Sequence, residues 1–320
     1  MNPYEIALYV IILGGALLDV SISLLNVSVA RRELPSEFVG LYDSEKYAKS
    51  QDYLKTNTRF SIFETVFSAT VTALFLYFGG FAAVDTFARS FGFGSIVTGL
   101  IFAATLMVGL KIISLPFSLY STFVIEERFG FNKMTLGTFF SDMFKGLLLG
   151  VALGAPILAG ILWFFESVGE NAWLWCWLAL TAVQMLIMFL APAFIMPLFN
   201  KFVPLPEGDL KTAIETYANA QNFKLQGIYT MDGSKRSTKA NAYFTGFGKY
   251  RRVVLFDTLI AKHSTEELVA ILAHEIGHFK RKHITKQVVL SVITTGFMFY
   301  LLSVFMNNPE LFAAFQVPET

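Results

Sequence analysis

The chain has 320 residues, 54% of them hydrophobic and 15% charged, with a formal net charge of +1. Its mean hydropathy of +0.55 belongs to a membrane protein rather than a water-soluble domain. So near-neutral a chain has no bulk affinity for polyanions and carries no nucleic-acid motif, and its one cysteine, Cys176, excludes both an internal disulfide and a cysteine-built zinc cluster.

The apolar run over residues 6–27 lacks a basic stretch before it and a small-residue cleavage site. It reads as a spanning helix rather than a removed signal. Arg31 and Arg32 follow it, and a polar segment runs to about residue 59. Further spans are expected at about 60–83, 96–116, 144–165, 173–197 and 288–306. Gly146, Gly150 and Gly154 form a small-residue ridge that either seats a close helix neighbour or faces lipid. Trp173, Trp175 and Trp177 are expected to form an interfacial belt. Asp19 and Lys111 fall inside spans, where charge is expensive; they are expected to line a water-filled space, to pair with each other or another helix, or to snorkel.

The one large polar region is 200–286. Residues 209–221 read as a surface helix, and Asp232-Gly233 as a turn. Residues 241–244 and 251–256 read as two short strands joined by a glycine-containing connection at 245–248. The basic residues set the orientation. With the N-terminus outside, the inner segments 27–59, 117–145 and 197–286 hold 23 of the 25 Lys and Arg residues. The polar region is therefore expected to face the cytoplasm.

Within it stands His274-Glu275-Ile276-Gly277-His278. Residues four apart on a helix share one face, so His274 and His278 can aim two imidazoles at one metal. Glu275 lies beside them as general base toward a zinc-activated water. Ser264-Thr265-Glu266-Glu267 reads as a capping box, with Ser264 as N-cap and Glu267 at the third helical position. From Leu268 to Ile276 the apolar residues keep helical rhythm.

Several stretches together resemble one family. They are His274 to His278, the run from Asp232 to Ser237, Asn241-Ala242-Tyr243-Phe244, the segment from Glu126 to Lys133, and the segment from Pro197 to Phe202. The chain is similar to the type I CAAX prenyl proteases, integral-membrane zinc endopeptidases of the gluzincin kind. The resemblance implies a mainly α fold: a ring of seven transmembrane helices around a water-filled chamber, six of them present here, with a small α+β cytoplasmic zinc-protease region. It implies Zn2+ on His274 and His278 with Glu275 catalytic. It also implies that Asn241, Ala242, Tyr243 and Phe244 form an edge strand binding a peptide or prenylated-protein substrate, by the pairing that any open strand edge offers.

One departure stands out. The family's third zinc ligand is a glutamate tens of residues beyond the second histidine, and the only later acidic residues here are Glu310 and Glu319. His283, nine residues after His274, is expected to face away from the histidine pair if the helix runs on. The chain is therefore expected to be a C-terminally truncated family member with an incomplete zinc site, inert on its own. Its expected parts are a five-span membrane domain over 1–199, a metallopeptidase region over 200–286, and a sixth span with a tail over 287–320. The membrane is expected to be a bacterial cytoplasmic membrane, or the endoplasmic reticulum membrane if the source is a eukaryote. Two other readings remain: a bacterial quality-control zinc protease needing no prenyl group, and a non-catalytic polytopic scaffold with a degenerate motif.

Overall fold

The protein is mainly helical, and six helices among the described residues are long and apolar enough to cross a membrane. The computed structural model describes residues 2–245, 251–306 and 308–318, so the glycines expected in the 245–248 connection and Glu319 lie outside the described residues. The chain divides into two compact units, one of residues 1–130 with 304–320 and one of 131–303.

In the first unit, α1 (Pro3–Ser28) starts on Asn2, whose Oδ1 accepts the Glu5 N–H at 2.8 Å. The next helix, α2 (Ser44–Tyr77), begins well before the apolar stretch that announces it. Asp43 caps it by accepting from the N–H groups of Glu45 and Lys46. Within residues 44–59, Glu45, Lys46, Ala48, Lys49, Gln51, Leu54, Lys55 and Arg59 are good helix formers that carry the helix out of the apolar layer. The expected span over 60–83 breaks instead at Gly79, whose φ is +70°. A Cβ on Gly80 would lie 2.4 Å from the Phe75 ring, so the glycine pair both turns the chain and admits that ring. There α3 (Gly80–Arg89) starts. The following helix, α4 (Ser95–Tyr120), contains Pro116 and widens into a π-turn over Ser121–Glu126. Near the C-terminus, α11 (Pro309–Ala314) is tied to the start of α1. Asn2 Nδ2 donates to the Glu310 carbonyl at 2.7 Å, and Asn308 Nδ2 donates to the Tyr4 hydroxyl at 2.7 Å. Asp19 and Lys111 are both exposed, and among the described residues neither makes an ion pair, so the expected pairing is not formed.

In the second unit, α5 (Leu136–Ser167) precedes α6 (Ala172–Leu190), which continues through a π-turn, Ala191–Ile195, and a 3-10 turn, Met196–Leu198. A Cβ on Gly146, Gly150 or Gly154 would meet nothing within 4 Å. The ridge is thus an open face rather than a packing seam. Two of the three tryptophans expected in a belt also join helices. Trp177 donates its indole N–H to the Val292 carbonyl at 2.9 Å, and Trp173 meets Tyr300 edge-on at 5.5 Å. Both rings tie α6 to α10 (His283–Phe305), and only Trp175 stands half exposed.

Between these helices the polar region forms a four-stranded mixed sheet of β1 (Phe202–Pro204), β2 (Gly227–Met231), β3 (Ala242–Thr245) and β4 (Arg252–Phe256), in the order β1-β2-β4-β3. The central pair β2–β4 is parallel and the outer pairs are antiparallel. The sequence reading covers β3 and β4 but not β1 or β2. In β2, Ile228-Tyr229-Thr230 carries the β-branched and aromatic residues of a strand. One face of the sheet packs on α7 (Asp209–Ala220), the short α8 (Asp257–Ile260) and α9 (Thr265–Lys280). Ile214, Ile228, Val253, Leu255, Leu268 and Leu272 form the buried core there. Each such side chain contributes about 1.5–3 kcal/mol by leaving water.

Candidate active site

The helix α9 carries the histidines, and its start is locally specified. Ser264 Oγ accepts the Glu267 N–H at 3.3 Å, and a Glu267 carboxylate oxygen accepts the Ser264 N–H at 2.8 Å. Both arms of the capping box are therefore closed. Leu268, Leu272 and Ile276 are buried along one stripe. His274 and His278 sit two positions round, about 200° away, and are exposed. Core burial thus turns the histidine face outward. Glu275, between the two directions, is half-buried.

The imidazoles converge. His274 Nε2 lies 3.0 Å from His278 Nε2, and the ring centroids are 4.7 Å apart. Tetrahedral zinc, with nitrogens at about 2.0–2.1 Å, sets two ligands roughly 3.3 Å apart. The pair therefore fits two corners of a metal site. Among the described residues no group of three or more His, Cys, Asp or Glu side chains is arranged so as to hold a metal ion.

His283 departs from expectation. It does not continue around α9, because α9 ends at Lys280 and Lys282 adopts φ +55°. The chain turns there, and α10 begins at His283. The turn returns the His283 ring to His278, Nδ1 to Nδ1 at 2.8 Å, with centroids 4.9 Å apart. His278 thus has one nitrogen toward His274 and the other hydrogen-bonded, an arrangement that fixes the tautomer and the ring plane of a metal ligand. Sequence reasoning missed this contact; the signal was the run Arg281-Lys282, polar residues suited to a helix end. Nearby, the Arg251 guanidinium lies 4.0 Å from the Phe279 ring centroid and 5.0 Å from that of Phe223, which stiffens the end of α9.

The strand β3, at one edge of the sheet, packs beside this helix. Ala242 lies in the core with Leu268 and Leu272, and Phe244 meets Phe223 at 4.9 Å. Tyr243 and Thr245 point to the opposite face, where they line a cavity of about 90 Å3 with Pro192, Met196 and Arg252. Burial pushes the Tyr243 hydroxyl up to about 12. Phe256 N–H donates to the Asn241 carbonyl at 3.0 Å. By antiparallel alternation Tyr243 and Thr245 also turn their backbone groups to β4, and Ala242 and Phe244 turn theirs to the open edge. The Asn241 side chain accepts the Ala242 N–H at 2.9 Å. Of the four residues expected in this strand, Asn241 precedes it and the other three lie within it.

The remaining quoted stretches converge on Arg236. Its guanidinium grips both oxygens of Asp142, at 2.8 and 3.0 Å, and donates to Asn200 Oδ1 at 2.8 Å and the Phe199 carbonyl at 2.6 Å. The Arg236 carbonyl accepts the Lys133 N–H at 3.0 Å, and the Phe131 carbonyl accepts that of Thr238 at 2.9 Å. Asp232 Oδ1 accepts the Lys201 N–H at 2.7 Å. The turn before β3 is thereby fastened to α5 and to the end of α6. Nothing in the sequence marks Asp142 as the partner.

Fold and site define a class: a multi-pass membrane protein bearing an HExxH metallopeptidase helix. The family model for the CAAX prenyl protease N-terminal region, five membrane helices, matches residues 24–201, and that for peptidase family M48 matches residues 204–318. CAAX prenyl protease 1 of Saccharomyces cerevisiae is 37% identical over 90% of this chain and 66% of its own length. The Arabidopsis thaliana homologue is 38% identical over 88% and 68%, and the human homologue 34% over 88% and 69%. The crystal structure of S. mikatae Ste24p superposes with a TM-score of 0.93 at 34% identity, covering 98% of this chain and 75% of that one. The chain belongs to the CAAX prenyl protease family of M48 membrane metallopeptidases, and it spans about two thirds of the length of these curated relatives.

Proposed function

We propose that this chain forms the N-terminal and peptidase-helix portion of a zinc endopeptidase that cleaves the C-terminal CAAX peptides of prenylated proteins. The observation that carries this reading is the convergence of His274 and His278 on one exposed face of α9, within a chain 34–38% identical to proteins named CAAX prenyl protease 1.

His274 and His278 would hold the metal through Nε2, and His283 orients His278 through Nδ1. Zinc, when bound, supplies a Lewis acid that brings the pKa of water toward ~7. Glu275 takes the proton of the attacking water on a carboxylate oxygen and passes it to the leaving amine nitrogen. Asn241, Ala242, Tyr243 and Phe244 bind the substrate peptide. The backbone groups of Ala242 and Phe244 on the open edge pair with it, and the Asn241 side chain gives up its hold on the Ala242 N–H. A catalytic zinc takes three protein ligands and a water, and among the described residues His274 and His278 are the pair brought together for it.

The site faces the cytoplasm, a reading supported by the 23 of 25 basic residues on that side. Labelling a single cysteine at Ser234, in a Cys176→Ser background, tests it: an impermeant reagent added outside intact cells should fail to react. The function itself is tested with farnesylated and unfarnesylated CAAX peptides and the full-length protein. Chelator-sensitive release of the terminal tripeptide from the farnesylated peptide is expected. Equal cleavage of both peptides would favour a protease indifferent to prenylation.

A further inference from the structure

The first unit holds a cavity of about 660 Å3 between α2 and the distorted end of α4, within the size range of small-molecule sites. Its walls are aromatic. Phe60 stacks on Tyr120 at 5.0 Å, and Phe117 lies 6.1 Å from Phe60, 5.9 Å from Phe63 and 5.0 Å from Phe67. The cavity exists because α4 does not run on regularly: Pro116 lacks an N–H for the ladder, and the π-turn Ser121–Glu126 widens the helix below it.

One end is cationic. Arg59 is the last basic residue of α2 before its apolar stretch, and Arg128 follows the π-turn of α4. Both line the cavity, both are exposed, and among the described residues neither makes an ion pair. The nearby Glu126 carboxylate is engaged by the Tyr53 hydroxyl. The α2 and α4 chains run in opposite directions here, so the guanidinium groups mark the polar boundary of both helices, and the Phe63 and Phe67 rings lie deeper along the spans. Charge at one end and aromatic wall along the rest match an amphiphile with an anionic head.

We infer that this cleft binds an anionic phospholipid, its phosphate between Arg59 and Arg128 and one acyl chain along Phe60, Phe63 and Phe117. The basic side of the chain is the side on which anionic lipid would be met. An annular lipid held by apolar contact alone would not choose its headgroup, so selectivity is the distinguishing property.

The test uses the full chain reconstituted in vesicles of phosphatidylcholine with one fifth phosphatidylserine, then extracted in mild detergent, with retained lipid measured by mass spectrometry. The native chain should retain phosphatidylserine well above its bulk fraction; retention at the bulk ratio would overturn the proposal without any variant. Arg59→Gln with Arg128→Gln should reduce the enrichment by roughly fivefold per arginine removed. Lys46→Gln with Lys49→Gln removes the same charge from α2 outside the cleft and should leave the enrichment within about twofold. Equal losses from both pairs would mean diffuse attraction and overturn the site. Phe117→Ala should lower retention of both lipids, and unchanged retention would contradict the acyl-chain wall. Stoichiometric displacement of the lipid by a farnesylated peptide would assign the cleft to substrate instead.

Discussion

His278 is held between two other histidines: its Nε2 lies 3.0 Å from His274 Nε2 and its Nδ1 lies 2.8 Å from His283 Nδ1. Only one of those neighbours shares its helix. The other arrives through the turn at Lys282, where the backbone takes φ +55°.

That geometry makes His283 an orienting group for His278, the proposed metal ligand. Replacing such a partner typically costs 10–100-fold in metal affinity. His283→Ala in the full-length protein should therefore weaken zinc binding by about that factor, read by chelator competition, and leave the helix content unchanged. Undiminished affinity would mean that the His278 ring is fixed by other contacts.

The Arg236–Asp142 pair should matter for stability rather than chemistry. Both side chains are less than one-fifth exposed, and the guanidinium makes a two-pronged contact. Arg236→Ala strands Asp142 and should cost about 3 kcal/mol. Arg236→Lys keeps the charge but not the fork, so it should recover little of that loss. Thermal unfolding in detergent checks both, and a lysine variant as stable as the native chain would contradict the latch.

Burial pushes the Tyr243 hydroxyl up to about 12, from an ordinary value of 10. Below pH 10 both folded and unfolded chains keep this proton, and it has no effect on stability. Between pH 10 and about 12 the unfolded chain releases the proton that the folded chain holds, so stability should fall as pH rises through that window. Tyrosine absorbance should show one late-titrating group that Tyr243→Phe removes. Titration of that group near pH 10 would show the ring to be solvated.

What could be read in advance was local. The capping box, the apolar stripe of Leu268, Leu272 and Ile276, and the four-residue spacing of His274 and His278 are all written within one helix. The strands β3 and β4 carry their own β-branched and aromatic residues. What escaped depended on distant or unmarked partners. The turn at Lys282 uses neither Gly nor Pro, and the polar pair Arg281-Lys282 suits a helix end without saying that His283 would come back. The contacts of Trp173 and Trp177 with α10 were hidden because the sequence does not say that α10 lies beside α6. For Gly146, Gly150 and Gly154 the same gap left seam and open face undecided. The early start of α2 was hidden by its polarity, since a membrane helix extending into water loses the apolar signal and keeps the helix.

On the proposed reading the exposed face of α9 is a metal-dependent peptidase site with Glu275 as its base. The direct measurement compares zinc content and cleavage of a farnesylated CAAX peptide by native and Glu275→Gln full-length protein. Zinc stoichiometry should be the same in both, and turnover should be lowered by ~10²–10⁴-fold in the variant. Near-normal turnover with Gln at 275 would contradict it.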